Sequence, residues 1–139
     1  MHIDTTTPFG ARVARRLHDD EIGWLTTIGA DHTPQPSPVW FLWDGATFLI
    51  YSKPGTPKLR NIARTRRASL HLNSDGHGDD IIVLVGDAWF ATDQPAADHV
   101  AAYLAKYRDG IARIAMTPES FAYAYSAAIL LTPTALRGH

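Results

Sequence analysis

Cysteine is absent from this 139-residue chain. Its absence excludes disulfide frameworks, thiolate nucleophiles and Cys-ligated zinc or iron–sulfur centres. No apolar run approaches the roughly 20 residues of a membrane span. The opening Met1-His2-Ile3-Asp4-Thr5 has neither a basic nor an apolar stretch, so a cytoplasmic protein with no membrane partner is expected. Charge of one sign is not in excess: 13 Lys and Arg against 14 Asp and Glu leave a net charge of −1, which argues against general nucleic-acid binding. Several chemical motifs are missing too. Ser37, Ser52 and Ser126 lie in no Gly-x-Ser-x-Gly elbow, and the turn around Gly55 has neither dinucleotide-fingerprint nor Walker spacing. Serine hydrolase, Rossmann and P-loop chemistries therefore have no support.

What is present is a local concentration of positive charge. Six of the 13 Lys and Arg lie between Lys53 and Arg67, with no Asp or Glu among them. The run begins at a turn. Extended residues up to Ser52 meet Pro54-Gly55, where a fixed dihedral followed by a permissive one makes a sharp bend. Thr56 and Pro57 then read as a helix cap and first helical residue. Free N–H groups and the positive end of the helix dipole beside Lys53, Thr56 and Lys58 suit a phosphate or carboxylate. The competing reading is a solvated basic helix.

The remaining elements follow from periodicity and punctuation. Thr7-Pro8 opens a helix with Phe9, Val13 and Leu17 on one face, and Asp19-Asp20 closes it. Strands are expected at Ile22–Gly29, Pro36–Trp43, Thr47–Tyr51, Ala68–Asn73, Ile81–Phe90 and Ala128–Leu136. Asp44-Gly45 marks a tight hairpin, Gly86 suits a bulge, and Pro133 suits an edge or bulge. A helix is expected from Asp93 and Pro95 to Asp109-Gly110, with Val100, Tyr103, Leu104 and Tyr107 on its apolar face, and a shorter one after Thr117-Pro118. Hairpins with a late helical insertion imply an α+β, mainly β domain spanning 1–139: a six-stranded antiparallel barrel with peripheral helices. So small a barrel is filled by its own side chains, so a large ligand belongs outside it, against a second subunit.

Pro36-Ser37-Pro38-Val39-Trp40-Phe41-Leu42-Trp43-Asp44-Gly45, Tyr51 to Ile62, and Ala68-Ser69-Leu70 together resemble the flavin-binding split-barrel superfamily, the pyridoxamine 5'-phosphate oxidase-like group. Within it they resemble the reductases that use the deazaflavin coenzyme F-420. The resemblance implies a homodimer with two composite sites. Ser37, Val39 and Trp40 would lie near the cofactor ring, and Ser52, Lys53, Thr56, Lys58 and Asn61 would hold its phosphate end. Oxidase members that bind FMN usually carry an Arg and a Lys on the second strand, where this chain has Ser37 and Leu42. Their longer C-terminal segment, which grips pyridoxal phosphate, is also unmatched after Leu136. Both departures favour the deazaflavin branch, with Arg60 and Arg64 meeting an anionic cofactor tail.

The resemblance thus implies an F-420-dependent oxidoreductase acting on a small organic molecule. The redox chemistry belongs to the cofactor, so no catalytic side chain is required. Trp40, Trp89, Tyr107 and Tyr125 are candidate stacking surfaces, or else core and interface residues. Two alternatives stand beside this reading. One is an FMN-binding oxidoreductase, and the other a non-catalytic module for a flavin, haem or a polyanion. His71, His77, Asp79 and Asp80 match no rigid ligand spacing, so a solvated turn is expected there and no metal site.

Overall fold

The structure, a computed structural model, describes residues 1–139. Helix α1 (Pro8–Asp19) starts as its sequence dictates. Thr7 accepts a hydrogen bond from the Gly10 N–H, Pro8 opens the first turn, and Val13 and Leu17 are buried. Phe9 packs on the same core from a half-buried position. Arg12 and Arg16 both reach the Asp80 carboxylate, at 2.9 and 3.0 Å, and tie the helix to the loop before β6.

The strands are β1 (Ile22–Ile28), β2 (Pro34–Trp40), β3 (Leu42–Trp43), β4 (Phe48–Ser52), β5 (Arg67–His71), β6 (Ile82–Ala91) and β7 (Ala127–Gly138). All join one antiparallel sheet in the order β2-β1-β5-β6-β7-β4-β3. β2 and β3 are separated only by Phe41, yet they form opposite edges of that sheet. The sheet must therefore curl until its edges lie side by side, which makes a split barrel of the α+β class.

This corrects the expected strand count from six to seven, because Pro36–Trp43 is not one strand. Trp40 pairs with Ile22 of β1, whereas Leu42 pairs with Leu49 of β4. Phe41 bonds to neither neighbour. Its N–H donates to the Tyr107 hydroxyl at 2.8 Å, and its carbonyl accepts from the Lys106 ammonium at 3.0 Å. The Tyr107 hydroxyl lies 2.6 Å from the Glu21 carbonyl, its nearest acceptor. Two side chains of helix α3 (Ala101–Arg113) thus satisfy the backbone at the seam, where an unpaired group would be costly.

The Asp44-Gly45 hairpin forms as expected, with Gly45 at φ 98° and Asp44 accepting from the N–H groups of Ala46 and Thr47. Gly86 and Pro133 turn out to face one another at a register shift between β6 and β7. A β-carbon at Gly86 would lie 2.1 Å from the Thr132 carbonyl oxygen, so only glycine fits this bulge.

Helix α3 is displaced from its expected span. It follows a 3-10 turn at Ala97–His99 and runs past Gly110 to Arg113. Gly110 is there for close packing: a β-carbon would meet the Trp40 indole at 3.2 Å. Helices α2 (Pro57–Thr65) and α4 (Pro118–Ala124) match their sequence signals, and Thr117 and Ser120 form a reciprocal capping box.

Two apolar clusters result. The barrel interior holds Leu25, Phe41, Phe48, Ile50, Leu70 and Leu84, all fully buried. The second cluster lies outside the barrel wall, where Leu49 and Tyr51 of β4 meet Tyr103, Tyr107, Ile111 and Phe121. Because strand side chains alternate in direction, β4 serves both clusters, and all five of its residues are buried.

Candidate functional site

A cleft of about 340 Å³ opens where β2, β4 and the start of α2 face helices α3 and α4. Volumes of roughly this size, at the lower end for small-molecule sites, accommodate a ring system and a short substituent. Gly55 takes φ 77° in the turn that leaves β4. Arg60 braces the turn from behind by donating to the Gly55 carbonyl at 2.8 Å. Thr56 occupies the cap position of α2, but its side chain does not cap the helix. The Thr56 hydroxyl lies 3.1 Å from that of Ser52, which itself donates to the Lys53 carbonyl at 2.9 Å. The first-turn N–H groups of α2 therefore have no side-chain acceptor, and the helix presents its positive end beside the cleft.

Lys53 and Lys58 line the same cleft, and no carboxylate does. Neither lysine takes part in an ion pair. Burial pushes the Lys58 ammonium below its usual pKa, with no anion to offset the loss of water. The result is a half-buried positive field that an anionic group would relieve.

The opposite wall is aromatic. Tyr125 stacks on Phe121 at 4.5 Å between ring centres, Phe121 on Trp40 at 5.5 Å, and Trp40 on Tyr107 at 4.7 Å, with interplanar angles of 17°, 19° and 8°. Lysines stand at both ends of this row: Lys53 over Tyr125 at 5.6 Å and Lys106 over Tyr107 at 5.3 Å. Tyr103 also lines the cleft, and its hydroxyl is buried with no hydrogen-bond partner.

Of the residues singled out in the sequence, Val39, Trp40, Ser52, Lys53, Thr56 and Lys58 come together around this cleft. Three do not line it. Ser37 lies further along β2, opposite Leu25. Arg60 turns back to Gly55, and Asn61 is buried beneath α2, donating to Thr27 at 3.1 Å and Gln35 at 2.9 Å. Arg64 donates to the Ile28 carbonyl and to Asn61, while Arg67 pairs with Asp87. Among the proposed stacking surfaces, Trp40 and Tyr125 line the cleft, Tyr107 is buried behind Trp40, and Trp89 is exposed on β6. Sequence reasoning missed the site roles of Tyr51, Tyr103 and Phe121. Tyr103 carried a signal, its place on the apolar face of a helix, but that signal marks a core residue equally well.

The loop before β6 is organised internally. Asp75 accepts from the N–H groups of His77 and Asp79, and the Asp80 carboxylate is held by Arg12 and Arg16.

Residues 9–139 match the family described as Pyridoxamine 5'-phosphate oxidase. The chain belongs to that family. Comparison with curated proteins finds no match. Solved structures of similar fold include a candidate pyridoxamine 5'-phosphate oxidase of Listeria innocua, 20% identical over 91% of this chain and 94% of that one, with a TM-score of 0.67. An F-420 reductase is 21% identical over 88% and 94% of the two chains, with a TM-score of 0.64. HutZ, a haem storage protein of Vibrio cholerae, is 10% identical over 99% and 95%, with a TM-score of 0.63. At these identities the likeness shows the fold that this pyridoxamine 5'-phosphate oxidase family member shares with them. No helix of this family member is long and apolar enough to cross a membrane.

Proposed function

We propose that this protein is a coenzyme F-420-dependent oxidoreductase that works as a homodimer and reduces a small organic molecule. One observation carries the reading: a cleft of ring-sized volume has one aromatic wall and, at the other end, Lys53, Lys58 and an uncapped helix start with no acidic residue among them. That division matches a cofactor with a flat ring and an anionic tail. Ser37 and Leu42, in place of the basic pair of FMN-binding oxidases, turn the choice toward the deazaflavin. For haem the cleft offers no His, Cys or Met as an iron ligand, only the phenols of Tyr51, Tyr103 and Tyr125.

A bound deazaflavin supplies a hydride from its ring. The protein's part is to bind, orient and exclude water. Lys58, Lys53 and the α2 N–H groups hold the anionic end, and charge-assisted contacts of this kind are about twice as strong as neutral ones. Val39 and Trp40 form the ring-side wall. The stack of Trp40 on Tyr107 keeps the indole from turning, so this face of the cleft is set before a ligand arrives. A second subunit closes the open side of the cleft. Trp89 and Phe90, 41% and 46% exposed on β6, are apolar surface for such a contact.

Spectral titration with F-420, FMN and haem tests the cofactor, and sedimentation at micromolar concentration tests the dimer. The reading expects F-420 to bind more tightly than FMN, to a dimer. Equal or tighter FMN binding in direct competition would select the FMN alternative. A monomer that binds F-420 tightly would remove the second subunit from the site.

A further inference from the structure

Three tyrosines meet at the cleft, Tyr51 and Tyr103 lining it and Tyr107 behind them. Tyr51 packs edge-on against Tyr103 at 5.0 Å, and Tyr103 lies 4.9 Å from Tyr107. Two of the three hydroxyls are well used. Tyr51 donates to the Pro95 carbonyl at 2.6 Å, and Tyr107 bridges Glu21 and Phe41 at the barrel seam. The Tyr103 hydroxyl alone has no partner, although its residue is fully buried. Native proteins leave few polar groups in that condition, and phenylalanine at this position would fill the same space without the hydroxyl.

Tyr51 and Tyr103 both share the cleft with Trp40, Phe121 and Tyr125, and of these two only Tyr103 has its hydroxyl uncommitted. We infer that the Tyr103 hydroxyl donates a hydrogen bond to a ring carbonyl oxygen of the molecule bound in the cleft, and selects planar ligands that carry one. The inference rests on the reading that the cleft holds a flat ring with an anionic tail. Burial and the neighbouring phenols raise the Tyr103 pKa far above its usual value, so the group stays protonated and acts as a donor. Lys53 and Lys58 disfavour a cationic ligand, and on a flat ring of the proposed kind the acceptor that suits a phenol donor is a carbonyl oxygen. The hydroxyl is covered in this structure. Phe121 packs on the Tyr103 ring at 6.0 Å, and Tyr125 stacks on Phe121. Binding therefore requires the Phe121–Tyr125 pair on the short helix α4 to move aside.

Tyr103→Phe tests this in the full-length protein, with two measurements on the same samples. The apo variant should melt at or above the wild-type temperature, because it loses a hydroxyl that has no partner. Its affinity for F-420 should fall about five- to tenfold, the loss of one hydrogen bond. Protection by inorganic pyrophosphate, which offers charge and no ring, should be unchanged. An apo variant that melts lower would mean that the hydroxyl already has a partner, and overturns the inference. So does unchanged F-420 affinity, which leaves the cofactor reading intact. If wild type prefers FMN, which also carries ring carbonyls, and Tyr103→Phe weakens FMN, the F-420 reading fails and the inference stands. A wild type that binds neither ligand overturns both.

Discussion

The indole of Trp40 lies 4.7 Å from the ring of Tyr107, with the two planes 8° apart. Trp40 is a wall of the cleft, and Tyr107 is the residue whose hydroxyl satisfies the backbone where the barrel splits. The pair therefore joins the element that closes the fold to the element that shapes the site. Gly110, one turn further along α3, is what leaves space for the indole.

Tyr107→Phe keeps the ring and removes only the hydroxyl. The Phe41 N–H and the Glu21 carbonyl then lose a partner. Leaving a buried group unsatisfied costs about 1–3 kcal/mol, so the unfolding free energy from urea denaturation should fall by that amount while far-UV dichroism is unchanged. A variant within about 0.5 kcal/mol of wild type, the range of ordinary surface substitutions, would show that the seam does not depend on this hydroxyl.

Lys58→Ala separates binding from stability. The ammonium is half-buried with its pKa lowered by burial, so its loss should leave the apo melting temperature unchanged or slightly raised. Affinity for an anionic cofactor should fall about ten- to a hundredfold, the equivalent of one charge-assisted contact. Unchanged affinity would take Lys58 out of the site, and a collapsed melt would make its role structural.

Asn61→Ala should show the opposite pattern. Asn61 donates to Thr27 and Gln35 and accepts from Arg64, so it fastens α2 to β1 and β2. Its removal should lower stability by about 1–3 kcal/mol. Affinity that drops while the melt stays at the wild-type value would instead place Asn61 in direct contact with the ligand.

Lys106 predicts a pH dependence. Burial lowers its pKa to about 8, against the opposing pull of Asp20, Glu21 and Asp19. Its charged form is thus disfavoured in the folded protein. Between pH 8 and the unfolded value near 10.5 the unfolded chain binds more protons, so stability from this group rises with pH and is flat below 8. Tyr103 and Tyr107 have raised pKa values and act oppositely above pH 10, their ordinary value. Melting temperature measured from pH 7 to 10 should therefore climb more steeply in wild type than in Lys106→Met. Parallel profiles would refute the assignment.

Local signals set much of what was legible in the sequence. Thr7-Pro8, Asp44-Gly45, Thr56-Pro57 and Thr117-Pro118 marked boundaries because capping and turn geometry depend on a few adjacent residues. The cluster of Lys and Arg after Ser52 was legible for the same reason, since six cations within fifteen residues need no tertiary contact to make a positive field. The family resemblance was carried by equally contiguous runs.

Tertiary structure decided the rest. Pro36–Trp43 reads as one strand because its apolar run from Val39 onward, rich in β-branched and aromatic residues, is unbroken in sequence. Only the distant Tyr107 and Lys106 show that Phe41 breaks the ladder and makes seven strands of six. Arg60 and Asn61 lie in the basic stretch, yet their side chains point to Gly55 and to Thr27 and Gln35. The aromatic wall draws on β2, α3 and α4. Local sequence determines which residues are extended, helical or charged. Which of them face one another depends on packing between segments more than sixty residues apart, as with Phe41 and Tyr107, and no local propensity encodes that.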